Sequence, residues 1–422
     1  MRKKVFVAAM VFMIALIAVV YFFGRNDIGI VGEYGELQPA PIPYGEEIGE
    51  PEISAAFDPS MPVIEEEYEY DESYEETYEP EPYEPYEPEV FEGDIESPWH
   101  PIHFRELRPA QPLTADTPHG YISVGHIRYM SNNFYRRFPF SYQEKRAAIW
   151  IVEELLAMGY TWDNIQVQEF SWVDVSPFVG GRTRDDFARW GFIYANYDYL
   201  RDTYLSQNII LTVPGRSQQV IVIGAHYDTL LYPGASDNAS GTALLLESAQ
   251  RMLHLDNYYT LVYIFFGAEE VGLLGAHYYV NSLTSAELED IIFMLNADVL
   301  FEGTYFLYAA GYMYGDRNIG ANDITRKWDE IAYGLGHSHN IILQAHPASL
   351  FLGSVHRVFK DAGVTVMFMF GTYFHDSGGL YFRVFHSDRD CYNYIMNRWP
   401  DKIREAMWTF SVFLEELLLA EY

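Results

Sequence analysis

Cysteine is almost missing from this sequence: Cys391 stands alone among 422 residues. That excludes an intramolecular disulfide framework and any thiolate-rich zinc or iron–sulfur site. Positive charge is scarce too, with 27 Lys and Arg against 60 Asp and Glu and a net charge of -33. So acidic a chain is a poor partner for nucleic acid or anionic lipid through bulk electrostatics. Between Asn26 and Phe104 there is no Lys or Arg at all, while 24 Asp and Glu fall there, about three quarters of the excess. Apolar residues are plentiful, 49% of the chain with 17% aromatic, which excludes a wholly disordered or fibrous protein.

These shifts in composition divide the chain into three regions. Residues 1–28 hold Arg2-Lys3-Lys4, an uncharged apolar run over 5–23 and then Gly24-Arg25-Asn26. Nineteen residues of helix span roughly 28 Å, close to the roughly 30 Å of bilayer hydrocarbon, so the run reads as a membrane anchor. A cleaved signal peptide is the competing reading, disfavoured by the length of the run and its large-residue end, Val19-Val20-Tyr21-Phe22-Phe23. In either case the basic start places the remainder of the chain outside the cytoplasm. Residues 29–112 are rich in Glu, Tyr and Pro and carry a degenerate repeat, Tyr78-Glu79-Pro80-Glu81-Pro82-Tyr83-Glu84-Pro85-Tyr86-Glu87-Pro88. Proline removes backbone donors and like charges repel, so this segment is expected to be a disordered, extended linker or stalk.

Residues 113–422 suit one large domain. Helical spacing of apolar residues runs through 144–158, 242–255 and 403–419. Short apolar runs at 208–213, 220–225, 261–267, 291–297 and 364–370 read as buried strands. Alternating strand and helix predicts an α/β fold, a single domain with a mostly parallel mixed central sheet flanked by helices.

Chemistry-bearing residues recur where those strands end. His226 and Asp228 follow one, Glu269 and Glu270 another, Asp298 a third. In an open α/β sheet ligands bind beyond the carboxyl ends of the strands, so dispersed residues should meet on one rim. Taken singly, each is as compatible with a satisfied strand-end histidine or a solvated acid pair. Together they are not: two adjacent carboxylates at a buried rim repel unless a proton or a cation compensates.

The motifs Gly224-Ala225-His226-Tyr227-Asp228-Thr229, Gly234-Ala235-Ser236-Asp237-Asn238-Ala239-Ser240-Gly241, Ala268-Glu269-Glu270-Val271-Gly272-Leu273-Leu274-Gly275, Asn296-Ala297-Asp298 and Phe385-His386-Ser387-Asp388-Arg389-Asp390 resemble metallopeptidase family twenty-eight. This family comprises co-catalytic di-zinc aminopeptidases and is related to glutaminyl cyclases. The resemblance extends upstream through His126 and the helix after Glu144. It implies a zinc-exopeptidase fold and two Zn2+ per chain, one held by His226, Asp237 and His386 and the other by Asp237, Glu270 and Asp298, with Asp237 bridging. Imidazole and carboxylate ligands suit zinc. The resemblance further implies that Asp228 fixes the ring of His226, that Asp390 does the same for His386, and that Glu269 acts as general base toward metal-activated water. It also implies a cis peptide bond at Asp237-Asn238.

The expected activity is therefore removal of the N-terminal residue from peptides with a free N-terminus, by an enzyme anchored in the membrane through residues 5–23. Glutaminyl cyclisation and a catalytically silent extracellular binding protein are the rivals. Val355 stands where many relatives have Asp, and Phe385 where some have Tyr, so metal binding carries over more safely than substrate choice. His356 is expected to pack near the pocket. His254, His277, His337, His339, His346 and His375 lack motif support, and Tyr305, Phe306, Tyr308 and Tyr312 are expected to pack in the core. The stretch 371–379 reads as a loop.

Overall fold

The computed structural model describes residues 109–422 except 115, 182–204, 304, 315–316, 320–321, 340, 342, 348–352, 375–379, 383 and 385. The apolar run 5–23 and the acidic segment to 108 lie outside the described residues. Among those described, no helix is long and apolar enough to cross a membrane.

Two helices open the domain, α1 (Tyr121–Asn133) and α2 (Tyr142–Met158). The Ser141 side chain accepts from Glu144 N at the start of α2, and Gly159, at φ 112, ends the helix in a left-handed conformation that glycine adopts without penalty. Strands β1 (Ile165–Ser171), β2 (Leu205–Val213) and β3 (Val220–His226) come next, then α3 (Ser240–Met252), β4 (Thr260–Phe266), α4 (Leu274–Ser282), α5 (Ser285–Asp290) and β5 (Ile291–Ala297). The second half holds β6 (Tyr305–Tyr314), β7 (Arg317–Ile319), α6 (Asp323–His339), β8 (Leu343–Pro347), α7 (His356–Asp361), β9 (Thr365–Phe374), β10 (Leu380–Tyr381), α8 (Tyr392–Arg398) and α9 (Lys402–Leu419).

The sheet runs β1-β2-β4-β3-β5-β9-β6-β7, with β8 beside β6 and β10 beside β9. It is less parallel than the strand-helix alternation predicts. Only β4-β3-β5-β9 in the centre and the β6-β8 pair are parallel. The pairs β1-β2, β2-β4, β6-β9, β6-β7 and β9-β10 are antiparallel. The reason for β2 is the link after it. Residues 214–219 are too few for a crossover, which needs a dozen or more, so the chain reverses and β2 and β3 flank β4 in opposite directions.

The central strands read as unbroken apolar runs because both faces are covered. Ile221, Ile223, Leu261, Tyr263, Phe265, Phe293 and Leu295 pack into the larger core beneath α1, α2, α3 and α9. Their neighbours Val222, Val262, Ile264, Phe266 and Met294 face a second core that includes Val355, Val358 and Phe359. This period of two orients every strand in the sheet's centre. Phe306 and Tyr308 are buried as expected, whereas Tyr305 is exposed. Residues 371–374 prolong β9 rather than forming a loop, because Thr372 and Gly371 pair with Tyr305 and Phe306.

Candidate metal centre

The carboxyl ends of β3, β4 and β5 place His226, Asp228, Glu269, Glu270 and Asp298 on one rim, with Asp237 and His386 joining them from loops. Two clusters result, His226 with Glu269 and Asp298, and Asp237 with Glu270 and His386. Asp237 stands between the histidines: Oδ1 lies 3.1 Å from His226 Nε2 and Oδ2 3.1 Å from His386 Nε2. Asp298 Oδ1 is 3.3 Å from His226 Nε2, and Glu270 Oε2 is 3.2 Å from His386 Nε2. The grouping differs from the one the resemblance implies. Asp298 pairs with His226 and Glu270 with His386, and Asp237 is the residue common to both.

Backbone geometry explains why these side chains meet. The Asp237-Asn238 peptide is cis, and Asn238 locks the segment by donating to Ala297 O at 2.9 Å and accepting from Gly241 N at 2.8 Å. A Cβ on Gly241 would lie 2.1 Å from Ala297 O, so only glycine lets the start of α3 approach β5 this closely. Arg137, fully buried, donates to Tyr227 O at 2.6 Å, Pro233 O at 2.8 Å and Gly234 O at 3.0 Å, clamping the loop between His226 and Asp237.

Two supporting acids work differently from expectation. His226 Nδ1 lies 3.1 Å from the main-chain oxygen of Asp228, while the Asp228 carboxylate stands off at 3.6 Å. The carboxylate instead accepts from Glu269 N at 3.0 Å and Glu270 N at 3.1 Å. Asp390 turns to the backbone of the bridging residue, accepting from Ser236 N at 2.6 Å and Asp237 N at 3.0 Å. Each acid thus aims a ligand-bearing turn.

Sequence reading passed over Arg137, Asp390's true partners and Ser354. Ser354 Oγ donates to Asp298 Oδ2 at 2.8 Å and accepts from Asn296 Nδ2 at 2.8 Å. The pair Arg136-Arg137 set among Phe134, Phe138 and Phe140 was the available signal for the first. Val355 is fully buried in the second core and does not face the ligands. His356 is buried, stacked on Phe368 with centroids 4.7 Å apart. His254, His337 and His339 are exposed and His277 half-buried. Phe385 and His375, and the side chains of Tyr312 and His346, lie outside the described residues.

The electrostatics call for a cation. Burial opposes charge on His226, and the Asp298 and Glu269 carboxylates outweigh it, raising the ring well above the ordinary imidazole range. Burial also opposes charge on Asp237, yet hydrogen bonds from His226 and His386 hold it below the usual carboxylate range. Glu269 is pushed well up, first by burial and also by Glu270 and Asp298, with His226 offsetting only part. Among the described residues Asp298 Oδ1 is buried with no hydrogen-bond partner, only the His226 ring 3.3 Å away. Imidazole nitrogens and carboxylate oxygens crowded around such an orphaned oxygen fit divalent metal of zinc's ligand preference.

Fold and site together define a class: an α/β protein with an imidazole and carboxylate centre suited to divalent metal on the rim of its sheet. The chain resembles peptidase family M28 over residues 208–411, from β2 into α9, just under half of its length. Aminopeptidase YwaD of Bacillus subtilis is 38% identical over 99 residues, 22% of this chain and 22% of that protein. The alignment therefore spans about a fifth of that relative's length. A zinc aminopeptidase of Bacillus subtilis superposes with a TM-score of 0.54 at 16% identity, covering 71% of this chain and 95% of that one. A glutaminyl cyclase of Bacteroides thetaiotaomicron superposes at 0.52 and 16% identity, covering 75% and 100%. These superpositions share the fold.

Proposed function

We propose that the protein is a zinc-dependent aminopeptidase that removes the N-terminal residue of peptides, with two metal ions per chain. The observation that carries this reading is Asp237, one carboxylate oxygen toward each histidine. His226, Asp237 and Asp298 would hold one ion, and Asp237, Glu270 and His386 the other. Polarising a carbonyl and acidifying water are what zinc supplies in such a site.

The chain's own residues do the rest. Glu269 is buried at the rim beside His226 and Asp298 but outside the proposed ligand set. The Glu269 carboxylate there would take a proton from attacking water and return it to the leaving amine. Asp228 keeps Glu269 and Glu270 in place through their amides. An ammonium group at a peptide's N-terminus suits a rim so rich in carboxylates, which limits cleavage to the chain end. The same proposal places the catalytic region outside the cytoplasm, tethered through residues 5–23.

Purified full chain should hydrolyse aminoacyl chromophores, lose that activity to a chelator, and lose about 10²-fold or more in kcat as Glu269→Gln with metal retained. Absence of hydrolysis across a broad substrate panel, despite bound metal, would overturn the reading. Cyclisation of N-terminal glutamine is the second reading, supported by the shared fold of the Bacteroides enzyme. An N-terminal glutaminyl peptide distinguishes the two: one loses its first residue, the other only ammonia. Membrane pelleting of the full chain, with protease access from outside, tests the location.

A further inference from the structure

Glu144 sits third in α2 after Ser141, the spacing of a capping box in which the acid reaches back to the cap's own amide. Ser171 with Asp174 and Thr284 with Glu287 form such boxes at the surface. Glu144 does not. It is fully buried, and its carboxylate accepts from Phe140 N at 2.6 Å, Ser206 Oγ at 2.7 Å and Ala268 N at 3.0 Å. These partners are two amides and a hydroxyl, not a cation. A buried carboxylate is expensive to desolvate, and an apolar residue of similar volume would often serve stability as well.

The site it touches gives the carboxylate a use. Phe140 and Ala268 are both non-glycine residues at positive φ, 60° and 52°, and Glu144 holds the amide of each. Ala268 begins the turn that presents Glu269 and Glu270. Four consecutive amides of that turn are captured by side chains from elsewhere: Gly267 N by Asn208 at 3.2 Å, Ala268 N by Glu144, and Glu269 N and Glu270 N by Asp228. The strain of a left-handed alanine is sustained only while such partners over-determine it.

We propose that Glu144 is a positioning residue for the reaction, holding the 267–270 turn so that the Glu269 carboxylate keeps its place at the rim. This rests on the aminopeptidase reading. Glu144→Gln preserves volume but sets an NH2 group against Phe140 N or Ala268 N, and in either orientation the charge that strengthens the bond to the Ala268 amide is lost, so the turn loosens. Ser206→Ala removes one of the two donors that hold the oxygen bonded to Ala268 N. Glu247 is the control. It too is a buried carboxylate that accepts backbone amides, from Gly120 at 2.7 Å and Ser123 at 2.8 Å, but it caps α1 away from the turn.

The experiment compares full-chain wild type, Glu144→Gln, Ser206→Ala and Glu247→Gln for kcat, KM, bound metal and amide hydrogen exchange over 266–273. Glu144→Gln should lower kcat by about 10- to 100-fold with KM and metal content near wild type, the scale that a misplacement near 1 Å brings. Exchange at 267–270 should quicken about tenfold or more. Ser206→Ala should move both readouts the same way, less far, and decides the matter if Glu144→Gln fails to fold. Glu247→Gln should destabilise the protein and leave kcat within about twofold. A kcat unchanged in the Glu144 and Ser206 variants, an equal loss in Glu247→Gln, or unchanged exchange at 267–270 would overturn the proposal. If wild type hydrolyses no substrate, the aminopeptidase reading fails by itself, and exchange alone decides whether Glu144 holds the turn.

Discussion

Replacing His126 tests whether one buried imidazole sets the acid limit of this fold. The residue lies on the buried face of α1 with its ring edge-on to Trp150 at 5.5 Å, and Nε2 has no hydrogen-bond partner among the described residues. Burial lowers its pKa from 6.5 to about 4, with the Glu247 carboxylate pulling only partly the other way. The unfolded chain therefore binds a proton between those values that the folded protein refuses, so stability rises with pH across that window. The contribution is complete above about 6.5 and falls away as pH drops toward 4. The whole shift corresponds to about 3 kcal/mol, and the share lost between pH 7.5 and pH 5 to about 2 kcal/mol. Urea unfolding of chelated wild type and His126→Phe at several pH values isolates the effect, because other titrating groups cancel in the difference. Wild type should lose about 2 kcal/mol more than the variant between pH 7.5 and pH 5. Parallel curves for the two proteins would refute the reasoning.

Other perturbations address the frame of the site. Asp228→Asn sets an NH2 group against the amide of Glu269 or Glu270, and in chelated protein should reduce unfolding free energy by about 2–4 kcal/mol; a change under about 1 kcal/mol would mean the carboxylate does not hold the turn. Gly241→Ala forces a Cβ to within 2.1 Å of Ala297 O and 2.6 Å of Asn238 Oδ1. It should lower stability by about 2 kcal/mol or more, read as a fall in melting temperature, and an unshifted melt would contradict the close approach. Arg137→Met leaves the carbonyls of Tyr227, Pro233 and Gly234 without their buried donor, a loss of about 3–5 kcal/mol. Metal content should fall with it, and a variant that keeps both would show the clamp to be dispensable.

Local pattern made much of this protein legible. The apolar spacing over 144–158 marked the body of α2, because a helical period repeats within a few residues. The runs that became β3, β4 and β5 were readable because strands covered on both faces must be apolar at every position. Their ends carry His226, Asp228, Glu269, Glu270 and Asp298, and a sheet of this class gathers strand ends on one rim. The motif resemblance added Asp237 and His386, which no periodicity would have found.

The tertiary structure alone decided the relations between distant segments. The antiparallel flanks of the sheet came from the short 214–219 link and from which strand lay free to be paired. Which acid faces which histidine was settled by the fold of the loops: Asp298 beside His226 and Glu270 beside His386, about 3 Å apart in each case. Glu144 has the spacing of an ordinary cap, yet its side chain crosses to an amide 124 residues away. Sequence carries the periods of helix and strand because they repeat within a few residues. The partner of a buried polar group is chosen by packing across the whole core, where the requirement to satisfy every donor and acceptor is met only once the distant parts are in place.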